Sequence, residues 1–207
     1  MALNANALIT LAQGKTFLGI PTLETSHDSL VEDFINEASQ MIETYCNRFL
    51  IQRTVIEYKN GNGRKQLILN QYPISSITSL HDDLNHSYGA ETLIDASNYG
   101  IYGDQLNDNF YIERFDSAFC RGQKNIKIVY VAGYLLADIP ADLKLACKII
   151  IAFYYNKQQS KDWTTSTKSK GDENITVIQG IPQSAIEILD KYKRLEILGE
   201  DEPHVGY

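Results

Sequence analysis

Residues 28–63 read DSLVEDFINEASQMIETYCNRFLIQRTVIEYKNGNG, and the period of their apolar residues changes once along the way. Up to Phe49, apolar side chains fall at Val31, Phe34, Ala38, Met41, Tyr45 and Phe49, with Leu30, Ile35 and Ile42 widening the stripe. Alternating steps of three and four put one apolar face on a helix. Glu32, Asp33, Asn36, Glu37, Gln40 and Glu43 are expected on the other side. Thr25 or Ser26 offers a cap, and Asp28 stands in the first turn, where a negative charge suits the helix dipole. From Arg53 the pattern becomes β-branched and aromatic: Thr54-Val55-Ile56-Glu57-Tyr58. Asn60-Gly61-Asn62-Gly63 then precedes Gln66-Leu67-Ile68-Leu69, and Asn-Gly between two such runs predicts a hairpin. The stretch therefore joins a long helix to a β region.

Working outward, Thr10 with Gln13 forms a capping-box pattern ahead of Leu11, Phe17 and Leu18, and Gly19 with Ile20-Pro21 stops that first helix. Further strands are expected at Ile74–Leu80, Thr92–Ile94, Asn109–Glu113 and Ile126–Val131. Pro140 and Asp142 open a third helix, whose Leu143, Ala146, Cys147, Ile149, Ile150, Ile151, Phe153 and Tyr154 cover most of its circumference. A helix apolar nearly all round needs protein on every side, which points to neighbouring subunits. A last helix is expected from about Pro182 to Leu195, with Ile186, Leu189 and Tyr192 on one side. The fold class is thus α+β: a small helical bundle with an inserted, mostly antiparallel β-subdomain. The expected parts are a helical region 1–52, the β-insertion 53–135, and a helical region 136–198 with a long polar loop 156–180. An acidic, mobile tail follows at 199–207.

Charge and composition exclude several functions. The chain has 207 residues, is 43% hydrophobic and carries a net charge of −7. Its Lys and Arg are scattered except near Lys168 and Lys170, so a phosphate-gripping surface is not expected. The longest apolar run, Ile149–Tyr155, is far short of the roughly 20 residues that span a bilayer. The start Met1-Ala2-Leu3-Asn4 lacks the basic opening of a signal peptide, which sets the expectation of a protein made and kept in a cytoplasm. Cys46, Cys120 and Cys147 form no CxxC pair and no disulfide framework. Cys46 and Cys147 sit in helical apolar patterns and read as buried free thiols.

Catalytic and cofactor chemistry is not expected. There is no Gly-x-Ser-x-Gly elbow, and His27, His81, His86 and His204 each read as solvated. His81-Asp82-Asp83 with His86 could suggest a metal, but lies in a polar turn without the spacing that aligns ligands. Gly61-Asn62-Gly63-Arg64-Lys65 lacks the Gly-Lys-Ser/Thr ending of a phosphate loop and runs from strand to strand. The expectation is no enzyme, no cofactor and no metal. The thirteen tyrosines fit either interfaces or a Tyr-rich β core, and Trp163, alone in the polar loop, reads as an interface anchor before a core residue.

Two stretches carry a resemblance. One runs Leu8-Ile9-Thr10-Leu11, Phe17-Leu18-Gly19-Ile20, Asp28-Ser29-Leu30, Ile35, Ala38-Ser39 and Ile42-Glu43-Thr44-Tyr45-Cys46-Asn47-Arg48, to Tyr72-Pro73-Ile74-Ser75-Ser76-Ile77. The other runs Val129-Tyr130-Val131-Ala132-Gly133-Tyr134, Ile139-Pro140-Ala141-Asp142-Leu143-Lys144-Leu145-Ala146, Ile181-Pro182 and Ile186 to Arg194. In this order they resemble the head-tail connector (adaptor) family of tailed phages. The resemblance implies a ring subunit, dodecameric in the virion neck and assembled in the host bacterial cytoplasm. Such a ring docks beneath the portal protein, meets a downstream neck or tail protein, and lets DNA pass through its channel without specific binding. A net-negative subunit would help DNA slide, because like charge avoids adhesion. The matching Glu43, Tyr45 and Arg48 either fix a subunit contact or cap the fold. Trp163, Lys168 and Lys170 in the loop, and Tyr207 in the tail, are candidate docking residues. A stopper-type neck protein is the alternative, though its usual β-rich barrel suits the long helices poorly. An enzyme with an unrecognised site comes last.

Overall fold

The computed structural model of the chain describes residues 2–103, 110–161 and 180–194. It divides into two units, Met1–Ile51 with Leu136–Lys193, and Gln52–Leu135 with Arg194–Tyr207. Of that last stretch only Arg194 is described. The α+β class holds: the described residues form four α-helices, and two three-stranded antiparallel sheets that do not close into a barrel.

The first unit is helical. Helix α1 (Leu11–Leu18) starts at the expected capping box: the Gln13 amide donates to Thr10 Oγ1 and the Thr10 amide to Gln13 Oε1. It ends at Gly19 in the left-handed conformation. A Cβ at Gly14 would stand 3.1 Å from Ile35 Cδ1, so glycine there lets α1 lie close on α2 (Asp28–Cys46). Neither Thr25 nor Ser26 caps α2. His27 occupies the cap position with no side-chain bond. The helix start is instead tied by Asp28 to Lys15 Nζ at 2.6 Å, and Lys15 also donates to the carbonyls of Thr22 and Glu24. A buried lysine replaces the expected cap.

The buried stripe of α2 is rotated from the expected one. It runs Val31, Phe34, Ile35, Ala38, Ser39, Ile42, Glu43 and Cys46, while Met41, Tyr45 and Phe49 are half-buried. Steps of four from Val31 and Ala38 dominate because that line faces the other helices. Glu43, expected among the solvated polar residues, is buried, for a reason given below. Helix α3 (Ala141–Ser160) follows Pro140 and buries Leu143, Ala146, Cys147, Ile150 and Ile151. It continues through Asn156–Ser160, the start of the expected loop, since Lys and Gln are good helix formers at an exposed end. Helix α4 (Gln183–Leu189) is shorter than expected and tightens into a 3₁₀ turn at Asp190–Tyr192. Its expected end, Leu195, lies outside the described residues.

The second unit holds strands β1 (Arg53–Gly61), β2 (Gln66–Ile68), β3 (Ile74–Asp82), β4 (Tyr99–Tyr102), β5 (Tyr111–Arg114) and β6 (Gly122–Ala132). One sheet is ordered β1-β6-β3 and the other β2-β5-β4. The two share a core of Leu67, Leu69, Leu80, Ile94, Ile112, Phe119, Ile126, Ile128, Tyr130 and Ala132. Along β6 the even-numbered residues from Ile126 to Ala132 are buried, the period of a strand with one face inward.

The expected hairpin at Asn60–Gly63 does not form. β1 pairs with the long β6, Arg53 opposite Ala132 through to Gly61 opposite Gly122, and β2 belongs to the other sheet. Pairing at eight register positions outweighs a three-residue partner. Gly61 also extends β1: a Cβ there would overlap the Cys120 carbonyl, and the Gly61 amide donates to Asn125 Oδ1 at 2.8 Å. The chain then crosses between sheets on a turn in which the Arg64 amide donates to Asn62 Oδ1. Nor is Thr92–Ile94 a strand. It is the end of a 3₁₀ turn, Ala90–Thr92, followed by a single bridge from Leu93 to His81.

Candidate assembly site

The end of α2 collects the three residues singled out in described sequence. Helix α2 stops at Asn47, left-handed at φ 51°, whose amide returns to the carbonyls of Glu43 and Thr44. The chain reverses there, and Glu43 reaches forward over the turn: Oε1 accepts from the Leu50 amide at 2.9 Å and the Ile51 amide at 3.4 Å. This is why a glutamate is only 7% exposed on the inner side of the helix. It satisfies two backbone donors that burial would otherwise leave costly. Arg48 is 3% exposed and lays its guanidinium over the Tyr192 ring at 5.7 Å. Tyr192 in turn donates to Asp142 Oδ1 at 2.6 Å in the first turn of α3.

Tyr45, half-buried on the neighbouring face, donates to Asp190 Oδ1 at 2.5 Å, with Lys193 Nζ over its ring at 5.4 Å. That bond to a carboxylate holds the Tyr45 hydroxyl above its ordinary range, because tyrosinate could not donate it. Glu43, Tyr45 and Arg48 are therefore brought together in one clamp that ties α2 to the start of α3 and to the turn after α4. Trp163, Lys168, Lys170 and Tyr207 lie outside the described residues, as does most of the 156–180 loop.

Several polar residues hold the β unit in roles that no sequence pattern announced. Asn125 is fully buried; its Nδ2 donates to Asp82 Oδ1 at 2.9 Å and to the Cys120 carbonyl at 3.0 Å. Asp82 Oδ2 accepts from the Cys120 amide and pairs with Arg114 at 3.4 Å. Asp83 accepts from the amides of Asn85, Ser87 and Tyr88 and from the Ser87 hydroxyl, which organises the loop 83–88. The Asx-turn pattern Asp83-x-Asn85 was the one signal available for it. Glu57 and Lys59 pair at 3.3 Å, and the Tyr130 hydroxyl donates to Glu57 Oε2 at 2.6 Å. Arg194 Nη1 donates to the neighbouring Asn70 carbonyl at 3.3 Å.

Of the histidines read as solvated, His86 is exposed, with Nε2 2.8 Å from the Gln123 carbonyl, while His81 is half-buried, with Nδ1 3.3 Å from Thr92 Oγ1. Among the described residues, no group of three or more His, Cys, Asp and Glu is placed to hold a metal ion. Burial pushes the Cys46 and Cys147 thiols up to about 12, and Cys120 is also raised, so all three stay protonated at neutral pH. Among the described residues, no helix is long and apolar enough to cross a membrane.

Residues 7–195 match the head completion protein family, and the chain belongs to that family. No curated protein matches it. Among solved structures it is similar, at 18% identity and a TM-score of 0.63, to a chain in the neck of an empty GTA particle computed with C6 symmetry; 96% of this chain and 97% of that one are covered. A chain in the virion of a native gene transfer agent (GTA) particle gives 18%, 0.63, 96% and 95%. One in the neck of a native GTA particle computed with C12 symmetry gives 18%, 0.61, 96% and 95%. At that identity the likeness establishes a shared fold.

Proposed function

We propose that this chain is a structural subunit of the head-tail neck of a tailed phage or phage-like particle, and within the neck an adaptor. Twelve copies would form a ring beneath the portal, extend the DNA channel and receive a downstream neck or tail protein, after assembly in the bacterial cytoplasm. The observation that carries this reading is correspondence over almost the whole chain, both units included, to a family of head completion proteins and to chains of symmetric necks. Two open sheets beside long helices favour the adaptor over a stopper built as a β-barrel. The clamp at Glu43, Tyr45 and Arg48 gives each subunit a rigid helical end, and Trp163, Lys168, Lys170 and Tyr207 are proposed to dock on ring neighbours or on the portal. DNA passes without specific contacts, consistent with the net charge of −7.

The test is reconstitution. Purified full-length chain mixed with portal rings should give a twelvefold ring beneath the portal by electron microscopy. A chain that stays monomeric and leaves the portal bare would overturn the adaptor reading.

A further inference from the structure

Strand β2 is an edge of its sheet and pairs with β5 on one side only. The Arg114 amide donates to the Lys65 carbonyl at 2.9 Å, and the Leu69 amide to the Phe110 carbonyl at 3.5 Å. Bonding residues alternate along an antiparallel pair, so Lys65, Leu67 and Leu69 turn their backbone toward β5, and Gln66, Ile68 and Asn70 turn theirs away. On that outer side the Gln66 carbonyl accepts from Asn62 Nδ2 at 3.4 Å, and the Asn70 amide donates to Glu57 Oε2 at 3.3 Å. The Asn70 carbonyl accepts from Arg194. Gln66 and Asn70 are exposed and Ile68 is half-buried. A strand edge of this kind is a template for another strand.

Arg194 is also where the described residues end. The 3₁₀ turn before it stops at Tyr192, and Lys193 is already extended, at φ −69° and ψ 125°. The sequence continues Leu195-Glu196-Ile197-Leu198-Gly199-Glu200-Asp201-Glu202. Leu195, Glu196 and Ile197 alternate apolar and polar, the pattern of a strand with one side buried. At the other end of β2 the turn is basic. Arg64 and Lys65 are exposed, and residues 60–66 hold no Asp or Glu. The Arg121 side chain crosses Gly63, where a Cβ would stand 2.6 Å from its Nε.

We infer that Leu195–Leu198 of the same chain adds to this edge as a fourth strand, antiparallel to β2. Strand addition takes its affinity from main-chain bonds and its specificity from alternate side chains. With Arg194 across from Asn70, Glu196 falls across from Ile68 and Leu198 from Gln66. The backbone of Glu196 and Leu198 then meets the groups that β2 turns outward. Leu195 and Ile197 fall across from Leu69 and Leu67, whose side chains belong to the core of the β unit, and Glu196 stays on the outer face. An extended chain covers the six steps from Arg194 to Glu200 in about 20 Å, the length β2 needs from Asn70 back to Arg64. The same count brings Glu200-Asp201-Glu202 to Arg64, Lys65 and Arg121. Charge and apolar alternation thus select one direction and one register. The inference holds whether or not the chain forms rings.

The test is residue-resolved amide exchange by NMR on the full-length chain. The Gln66 and Ile68 amides are the readout, and the Leu67 amide, turned toward β5, reports the sheet itself. Glu196→Pro removes the amide that faces Ile68, and exchange at Gln66 and Ile68 should quicken by ~10-fold or more while Leu67 is unchanged. Arg64→Glu with Lys65→Glu should quicken it less, and adding Glu200→Lys with Glu202→Lys to that variant should restore protection. Gln66 and Ile68 amides that exchange as fast in wild type as in Glu196→Pro would sink the inference. So would a charge swap that rescues nothing, or protection that grows with chain concentration, since that assigns the edge to the segment of a second copy.

Discussion

The two units use their polar groups in opposite ways. In the helical unit they join segments far apart in sequence: Tyr45 to Asp190, Tyr192 to Asp142, and Ser39 to the Leu8 amide at 3.0 Å. In the β unit they mostly finish loops and strand ends, as Asp83 does for residues 85–88 and Asn125 does for Gly61 and Cys120. The helical unit is assembled from two stretches of chain separated by the whole β unit, and Tyr45 on Asp190 and Arg48 over Tyr192 hold that long-range closure. The β unit is nearly continuous in sequence, and its contacts set register and loop shape. A lesion in the first should loosen packing between helices, and one in the second should change local geometry before it changes the fold.

Core truncations should separate the two units most strongly. Ile42→Ala in α2 and Ile128→Ala in β6, both fully buried, should each cost about 2–5 kcal/mol. The helical lesion should lower the melting step seen at 222 nm, and the sheet lesion the one seen by tyrosine fluorescence. One shared transition, shifted equally by both, would break the comparison. Next in size is loss of a buried polar tie. Asn125→Ala strands the Gly61 amide and should cost about 1–3 kcal/mol in denaturant titration, with Glu43→Ala similar because it strands Leu50 and Ile51. Amide exchange should then rise near residues 60–61 and 120–125 in the first variant, and near residues 47–51 in the second.

The smallest effect is a local one with acid. Hydrogen bonds from the Ser87 hydroxyl first, then from the Tyr88 and Asn85 amides, hold the Asp83 carboxyl down at about 2. Its folded value lies below the unfolded one of ~3.9, so its stabilising effect is complete above that pH and is lost as pH falls toward 2. Amide exchange at Ser87 and Tyr88 should rise across that window, and Asp83→Asn should remove the pH step.

The sequence made the helices legible where local chemistry decides them. The Thr10–Gln13 capping box, the α2 period and the Pro140 start of α3 need only neighbours within one turn. It failed where distant partners decide. Asn60-Gly61 carries a hairpin signal, yet β1 pairs with a strand some sixty residues on, and nothing local to Gly61 announces the Cys120 carbonyl beside it. Nothing in the sequence marks Lys15 for burial, because its partners, Asp28 and the carbonyls of Thr22 and Glu24, come together only when the following loop folds back. Of the candidate site, Glu43, Tyr45 and Arg48 were legible by resemblance. Their actual bonds, to Asp190, Tyr192 and the amides of Leu50 and Ile51, depend on tertiary closure.

The β unit begins and ends at one place: Arg53 stands opposite Ala132, and the Gln52 amide donates to the Tyr134 carbonyl at 2.9 Å. Facing residues of an antiparallel pair are only about 5 Å apart, a gap that one or two residues can bridge. The whole unit can therefore be lost, lengthened or exchanged by editing a single junction, without changing the path of the helices on either side. Lineages with a short loop there and lineages with a full sheet domain would differ by one event, and a foreign domain with adjacent termini could be grafted at the same point.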